Sequence, residues 1–171
     1  MPKGRKKRAT ARKPKSKAAP AADGLDIESV TGYNLRRAHS VQRQRFAAMF
    51  APYGIRPVQL SILGLLRDHP RMKQSDLGRT LEIKRANIVV LLDELEQRGL
   101  IVRKPAETDR RAYELELTAP GRKLAANLLA LHAQLEAEVE AQLGTRDRDR
   151  LIELLKKFRR LETGPNWNDE D

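Results

Sequence analysis

Hydrophobic residues recur at helical spacing through most of the chain, and this pattern predicts a mainly α-helical fold. From Ile27 to about Phe50 the apolar positions are three to five residues apart among arginines and glutamines, and a proline and a glycine within 52–54 end the predicted helix. A second helix is predicted from Pro57, a residue suited to a first helical turn, to His69. The density of leucine in this second helix indicates that it is buried.

Two short helices joined by a tight turn are predicted next. The first covers residues 74–81, with Ser75 as its N-terminal cap, and the turn covers residues 82–84. The second helix ends at Gly99, because glycine suits the left-handed conformation that follows many helices. The apolar face of this second helix is predicted to consist of Ile88, Leu91, Leu92 and Leu95.

The spacing changes from helical to alternating after Gly99, which predicts a β-hairpin. One strand covers residues 100–103, and in the other, residues 113–118, apolar side chains alternate with polar ones. Residues 105–111 form a charged turn between the two strands. The predicted fold class is therefore mainly α with a small β-hairpin.

Two long amphipathic helices are predicted after the hairpin. Thr118 and Pro120 supply a cap and a first-turn proline for one, and Thr145 is the predicted cap of the other, which runs to about Leu161. The first of the two has a near-heptad apolar seam, which favours packing against another helix, either within the chain or in a second chain. We expect a dimer, because long helices outside a small lobe bury little apolar surface alone. The seam consists of Leu124, Leu128, Leu131, Leu135, Val139 and Leu143.

The net charge of +11 is concentrated near the N-terminus, where residues 1–22 hold nine lysines and arginines and no acidic residue. Such a segment cannot bury enough apolar surface to offset the entropy of ordering it, so we predict a disordered basic tail over residues 1–26. Its natural partner is a polyanion, and the simpler alternative is a solubilising tail without a dedicated partner. The predicted folded region is 27–162, followed by an acidic end over 163–171.

Several classes of protein are excluded or disfavoured by composition. The chain has no cysteine, so it has no disulfide, thiolate zinc site or thiol redox switch, and this usage suits a reducing cytosol. No apolar run is long enough for a membrane span and no signal peptide is evident, so a cytoplasmic protein without a membrane partner is expected. The histidines His39, His69 and His132 are far apart in the sequence, and no acidic residue lies at an offset from them that would build a closed metal site. No nucleophile, acid-base pair or glycine-rich phosphate loop is recognisable, so we expect no catalytic residue, metal or cofactor.

The polar side chains around the predicted helix-turn-helix suit contact with DNA. Arg85 is suited to bidentate bonds with guanine, Asn87 to bidentate bonds with adenine, and an outward Val89 or Val90 to a thymine methyl. The alternative is an exposed helix terminus that contacts no base. The predicted DNA-contacting residues are Lys73, Ser75, Arg79, Lys84, Arg85, Ala86, Asn87, Val90, Arg103, Lys104, Asp109, Arg110 and Arg111.

The element order and several motifs over roughly residues 27–162 resemble the MarR family of bacterial transcription regulators. The segments that carry the resemblance are Gln74 to Leu81, Leu91 to Ile101, Thr108-Asp109-Arg110-Arg111, and Leu115-Glu116-Leu117-Thr118 followed by Gly121. The family's wing arginine enters the minor groove beside a supporting aspartate, which the resemblance assigns to Arg111 or Arg110 and to Asp109. Departures are Lys84, where many relatives have a capping serine, and the valines Val89 and Val90, where polar base-contacting residues are common.

The same resemblance implies a winged helix-turn-helix lobe at about 57–118 and dimerisation helices at about 29–52 and 119–162. It also implies a ligand pocket where the dimerisation helices meet the DNA-binding lobe. The first helix has an unusually cationic surface beside apolar residues, which is either a solvated face or a site for an anion, such as an aromatic carboxylate or an acyl-CoA thioester. The candidate ligand-binding residues are Tyr33, Arg36, Arg37, His39, Arg43, Phe46 and Met49.

Together these features predict a homodimeric, sequence-specific regulator of transcription that binds a pseudo-palindromic operator in double-stranded DNA. We expect a repressor that a small anionic effector releases, although an activator would use the same parts. The alternative is an architectural protein that binds DNA through its basic tail without sequence preference. A winged helix that contacts only proteins is disfavoured by the charged hairpin tip.

Overall fold

The computed structural model describes residues 24–106 and 113–161. Helices dominate these ranges, and a small antiparallel sheet accompanies them, so the predicted fold class is confirmed. Contacts divide the chain into two compact units, residues 1–38 and 39–171, which are described separately. The boundary between the units falls within helix α1, Thr31–Phe50.

The described part of the first unit contains a 3₁₀ turn, Ile27–Ser29, and the beginning of α1. The Asn34 side chain donates hydrogen bonds to the carbonyl oxygens of Glu28 (2.7 Å) and Val30 (3.0 Å). These bonds secure the turn against the first turns of the helix. The predicted helix therefore begins at Thr31 and not at Ile27, because a separate, extended residue at Val30 precedes it.

The second unit contains the rest of α1, a 3₁₀ turn at Ala51–Tyr53, and the remaining helices and strands. The left-handed Gly54 (φ 56°) separates that turn from α2, a conformation that glycine adopts without steric cost. The elements are α2 Pro57–Asp68, β1 Met72–Lys73, α3 Gln74–Thr80, α4 Arg85–Gln97, β2 Ile101–Pro105, β3 Tyr113–Leu117, α5 Ala119–Leu143 and α6 Thr145–Phe158.

The three strands form an antiparallel sheet in the order β1-β3-β2. Ile101 pairs with Leu117 and Pro105 with Tyr113, so β2 extends two residues beyond the predicted strand. Strand β1 was not predicted, because two residues are too few to show alternation. In β3 the leucines are buried and the glutamates are half-buried, as the predicted alternation requires.

The core lies between the helices of the second unit and one face of the sheet. The predicted apolar face of α4 is confirmed, since Ile88, Leu91, Leu92 and Leu95 are all buried. Each fully buried leucine or isoleucine contributes about 1.5–3 kcal/mol relative to exposure. Phe46 and Phe50, one turn apart on α1, stack with ring centroids 4.1 Å apart and are also part of this core.

The apolar seam of α5 packs mainly within its own chain. Leu128 and Leu135 are fully buried, Leu124 and Leu131 pack against the same core, and only Leu143 is clearly exposed. Of the two alternatives left open by the sequence, packing within the chain therefore holds for most of the seam, where α5 contacts α2 and α6.

The predicted helix caps had different outcomes. Thr118 is confirmed: its Oγ1 accepts a hydrogen bond from the Gly121 backbone N–H (3.0 Å) and donates one to the Gly99 carbonyl (2.6 Å). Ser75 lies inside α3 and makes no cap bond, so that prediction is wrong. Thr145 is also not a cap, because its hydroxyl donates to Glu140 at the end of α5 (2.6 Å).

Candidate nucleic-acid interface

Helices α3 and α4 are joined by a tight turn, which forms the predicted helix-turn-helix. The Ile83 backbone N–H donates to the Gly78 carbonyl (2.9 Å), and Glu82 adopts a left-handed conformation with φ 54°. A non-glycine residue in this region is uncommon, and it reverses the chain sharply. The turn therefore sets the angle at which α4 leaves α3.

The N-terminal half of α4 presents an exposed polar and methyl-bearing face. Arg85, Ala86, Asn87 and Val90 are exposed, and the Val90 exposure of 56% confirms that it points outward. Within residues 24–106 and 113–161, no hydrogen bond or ion pair engages the side chains of Arg85 and Asn87. Both groups are therefore available to donors and acceptors outside the chain.

A groove of about 1040 Å³ lies between α3, the turn, the beginning of α4 and the sheet. Its lining combines apolar residues, among them the buried Ile88, with five lysines and arginines and the two acidic residues Glu82 and Asp93. The predicted DNA-contacting residues that line it are Lys73, Ser75, Arg79, Lys84, Arg85 and Arg103. The fold therefore brings most of the described candidates to one concave surface.

Two cations at the ends of α3, Lys73 and Arg79, differ in how freely their side chains can reorient. Arg79 is highly exposed (79%) and lies 3.4 Å from Asp76 on the same helix, a pair that surface exposure makes weak. Lys73 is half-buried, immediately precedes α3 and is paired in register with Glu114. Arg79 can therefore reorient toward an external anion more easily than Lys73.

Arg103 has a structural role that the sequence did not indicate. Its guanidinium forms ion pairs with Asp93 (2.6 Å) and Glu96 of α4, and its side chain is only 17% exposed. These ion pairs hold β2 against α4. The two carboxylates also offset the positive charge of Arg103, which was predicted to contact DNA. Sequence reasoning missed Asp93 and Glu96, because charges on a helix give no sign of a partner in a later strand.

The β2-β3 hairpin, here called the wing, is described only at its base. Lys104 donates to Glu116 across the two strands (2.7 Å), and this hydrogen bond is the main reason that the pKa of Glu116 is lowered. The predicted tip residues Asp109, Arg110 and Arg111 lie outside the described residues. Their contacts with the minor groove stay a prediction.

The candidate ligand residues all lie on α1. In the first unit, the Arg36 guanidinium lies 5.3 Å from the centre of the Tyr33 ring, a cation–π contact, and Arg37 is exposed. The candidates in the second unit are the exposed His39 and Arg43, the half-buried Met49 and the buried Phe46. Because Phe46 is 7% exposed and stacked on Phe50, it already belongs to the core.

Known proteins resemble this chain in both sequence and structure. A model of the MarR family matches residues 53–112. A relative from Thauera aromatica, whose assigned role is regulation of the hcr operon, is 32% identical over 133 residues, covering 77% of this chain and 80% of the relative. Among the described residues, no helix has the length and apolar character needed to cross a membrane.

Two solved structures of the transcriptional repressor CouR share the fold. The one bound to a 23-mer DNA duplex is 35% identical with a TM-score of 0.75, and the match covers 82% of this chain and 100% of that one. The one bound to p-coumaroyl-CoA is 34% identical with a TM-score of 0.72, covering 83% and 100%. With the helix-turn-helix and the wing, these similarities show that the chain belongs to the MarR family of winged helix-turn-helix transcriptional regulators.

Proposed function

We propose that this protein is a dimeric repressor that binds a pseudo-palindromic operator and is released by an aromatic acyl-CoA thioester. The observation that carries the DNA-binding part is the exposed face of α4, where Arg85 and Asn87 have no partner within the described ranges. Arg85 also lines the adjacent groove, together with four other lysines and arginines. A similar repressor, CouR, has been solved bound to a DNA duplex.

In the proposed complex, the N-terminal half of α4 enters the major groove. Arg85 donates two hydrogen bonds to a guanine edge, Asn87 pairs with an adenine edge, and Val90 contacts a thymine methyl. Lys73, Arg79 and Lys84 contact phosphates, which orient the protein but carry no sequence information. Arg111 or Arg110 enters the adjacent minor groove, with Asp109 as its support.

The exposed apolar stripe of α6 supports dimerisation. None of the residues of α6, Thr145–Phe158, is buried in the single chain. The exposed members of the stripe are Leu151 (44%), Leu154 (47%), Leu155 (38%), Phe158 (45%) and Leu161 (63%), the last lying just beyond the helix. A contiguous apolar surface of this kind marks an interface. A two-fold dimer would present two copies of α4 to successive major grooves, about 10 base pairs apart.

The proposed effector is an aromatic acyl group joined to coenzyme A. The sequence left a free aromatic carboxylate and a CoA thioester as alternatives, and the similar repressor CouR bound to p-coumaroyl-CoA favours the thioester. Several arginines on α1 suit the phosphates of coenzyme A, because guanidinium and phosphate form bidentate, charge-assisted bonds. The arginines proposed for this role are Arg36, Arg37 and Arg43.

Release follows from a shift between conformations of the dimer. DNA selects the spacing of the two α4 helices that matches the major grooves, and the effector selects a different spacing. A coupling of about 1–3 kcal/mol lowers operator affinity roughly 5- to 150-fold. A regulator of this kind binds chromosomal DNA. The proposal therefore includes the cytoplasmic location that was predicted from the sequence.

The proposal is tested by selecting duplexes from a random-sequence pool with the full-length chain. The expected result is enrichment of one pseudo-palindrome with half-site centres about 10 base pairs apart. Addition of p-coumaroyl-CoA should then weaken binding to that duplex, with p-coumarate and coenzyme A as separate controls. A pool that stays random would favour the alternative, an architectural protein whose basic tail binds any DNA.

A further inference from the structure

The segment that connects α1 to α2 is held by two charged residues, one in α4 and one directly after it. At its beginning, the guanidinium of Arg98, the residue that follows α4, donates one hydrogen bond to the Tyr53 carbonyl and one to the Gly54 carbonyl, both 2.9 Å long. These are the free carbonyls at the end of the 3₁₀ turn Ala51–Tyr53. A guanidinium is suited to two neighbouring acceptors, because its donors form a planar fork.

At the other end of the same connection, Glu94 binds the beginning of α2. Its carboxylate accepts a hydrogen bond from the Gln59 amide (2.8 Å) and pairs with Arg56. Gln59 is buried, with 3% exposure, and its own oxygen accepts the Arg56 backbone N–H (3.0 Å). The amide of Gln59 is therefore engaged at both its oxygen and its nitrogen, as a buried polar group requires.

The charges of these two residues match the helix ends that they contact. A helix C-terminus carries partial negative charge and a helix N-terminus partial positive charge. Arg98 faces the C-terminal end of the 3₁₀ turn, and Glu94 faces the N-terminal end of α2. Because Glu94 and Arg98 are one helical turn apart, their side chains lie on the same face of the helix and contact residues 53–59 together. Exchanging the two charges would place each one beside a helix end of the same sign, which is unfavourable.

We infer that Glu94 and Arg98 are positioning residues, which set the DNA-contacting end of α4 through residues 53–59. This inference rests on the proposed function. Neither residue belongs to the exposed N-terminal face of α4, so neither is placed to touch a base. A helix moves largely as a rigid rod, so a displacement of residues 53–59 reaches Arg85 and Asn87 through these bonds. Because α1 ends at Phe50, just before this segment, the bonds form a route from α1 to the DNA.

The test compares operator affinity with affinity for a scrambled duplex, using the full-length chain and a duplex selected by the unmodified protein. The double variant Glu94→Arg/Arg98→Glu keeps the net charge, so its binding to scrambled DNA should not change. Its affinity for the selected duplex should fall roughly 2- to 30-fold. The control Arg67→Asp/Asp68→Arg exchanges an exposed ion pair at the end of α2 and should change neither affinity.

A second, milder variant covers the case in which the exchanged pair does not fold. Arg98→Met removes both hydrogen bonds to the carbonyls and should lower the preference for the selected duplex. Arg98→Lys should restore that preference in part, and Gln97→Met is the control at the neighbouring position. The inference is overturned if the wild-type protein prefers the selected duplex and every folded variant keeps the same ratio of affinities for the selected and scrambled duplexes. That result would leave the proposed function intact. Equal losses on both duplexes with a lowered melting temperature would show a merely structural role and overturn it too. A wild-type protein without preference would remove the proposed function and this inference together.

Discussion

Arg85 and Asn87 occupy the first turn of α4, and their exposed side chains have no hydrogen-bond or ion-pair partner in the described part of the chain. The next apolar residue, Ile88, is buried. Exposed and buried positions are therefore adjacent within a single turn of the helix. This arrangement follows from helical periodicity, which made both the buried face and the outward position of Val90 predictable from sequence. The partners of Arg103 were not predictable, because they depend on how β2 packs against α4.

Replacing Arg85 or Asn87 by alanine should weaken operator binding. Each bidentate pair with a base edge is worth about 1–3 kcal/mol of discrimination, or roughly 5- to 150-fold in the affinity ratio between operator and mutated operator. Fluorescence anisotropy with both duplexes measures this ratio, and Gln97→Ala at the other end of α4 is the matched control. If the Arg85→Ala and Asn87→Ala proteins discriminate as well as the unmodified protein, these residues do not contact bases.

Gly121 is a position where the close approach of two segments requires glycine. A Cβ atom there would lie 1.9 Å from the Leu100 carbonyl oxygen, which is backbone and cannot move aside easily. We expect Gly121→Ala to lower the free energy of unfolding by about 1–3 kcal/mol or more. The control is Gly64→Ala in α2, whose Cβ would lie an ordinary 3.5 Å from Leu129 and should stabilise that helix.

Urea denaturation of both glycine variants measures these changes. A Gly121→Ala protein as stable as the unmodified one would show that α5 and Leu100 are not so close in solution.

Helix α4 is held on two sides by ion pairs and hydrogen bonds. Arg103 joins it to the wing through Asp93 and Glu96, and Glu94 and Arg98 join it to residues 53–59. The helices and the hairpin were predictable, because their apolar periods are long and regular. Strand β1 and the burial of the α5 seam were not, since both depend on which distant segments meet.

The cross-strand pair at the base of the wing gives a pH-dependent prediction. The hydrogen bond from Lys104 lowers the pKa of Glu116, with Lys104 and Arg71 as further electrostatic causes. The contribution of this pair to stability is therefore present above the ordinary glutamate pKa and is lost as the pH falls through the lowered value. In Lys104→Met, carbon-detected NMR titration should show a higher Glu116 pKa. An unchanged value would mean that the pair does not form in solution.

The exposed apolar stripe of α6 has no covering element among the described residues of a single chain. We expect Leu154→Arg/Phe158→Arg to convert the dimer to a monomer, because it places two charges in the apolar interface. Light scattering after gel filtration measures the mass, and Lys156→Arg is the control on the same helix. Operator affinity should fall with the mass, because each monomer contacts only one half-site. A variant that stays dimeric would exclude α6 as the interface.

The basic tail over residues 1–22 should add affinity that is independent of sequence. If all nine cations contact phosphates, removing the segment reduces the slope of log affinity against log salt concentration by about 8 per protomer. Binding isotherms at several salt concentrations measure both slopes. Identical slopes for the full chain and the shortened chain would leave the tail without a role in DNA binding.

We propose that the folded part of the chain, and not its tail, selects a DNA sequence. The most direct measurement is binding of the fragment 23–171 to DNA from upstream of its own gene and to scrambled DNA, at physiological salt. We predict a preference of about 1000-fold or more for the upstream DNA. Equal affinity for the two duplexes, or no binding to either, would contradict the claim and favour an architectural protein that binds through its tail.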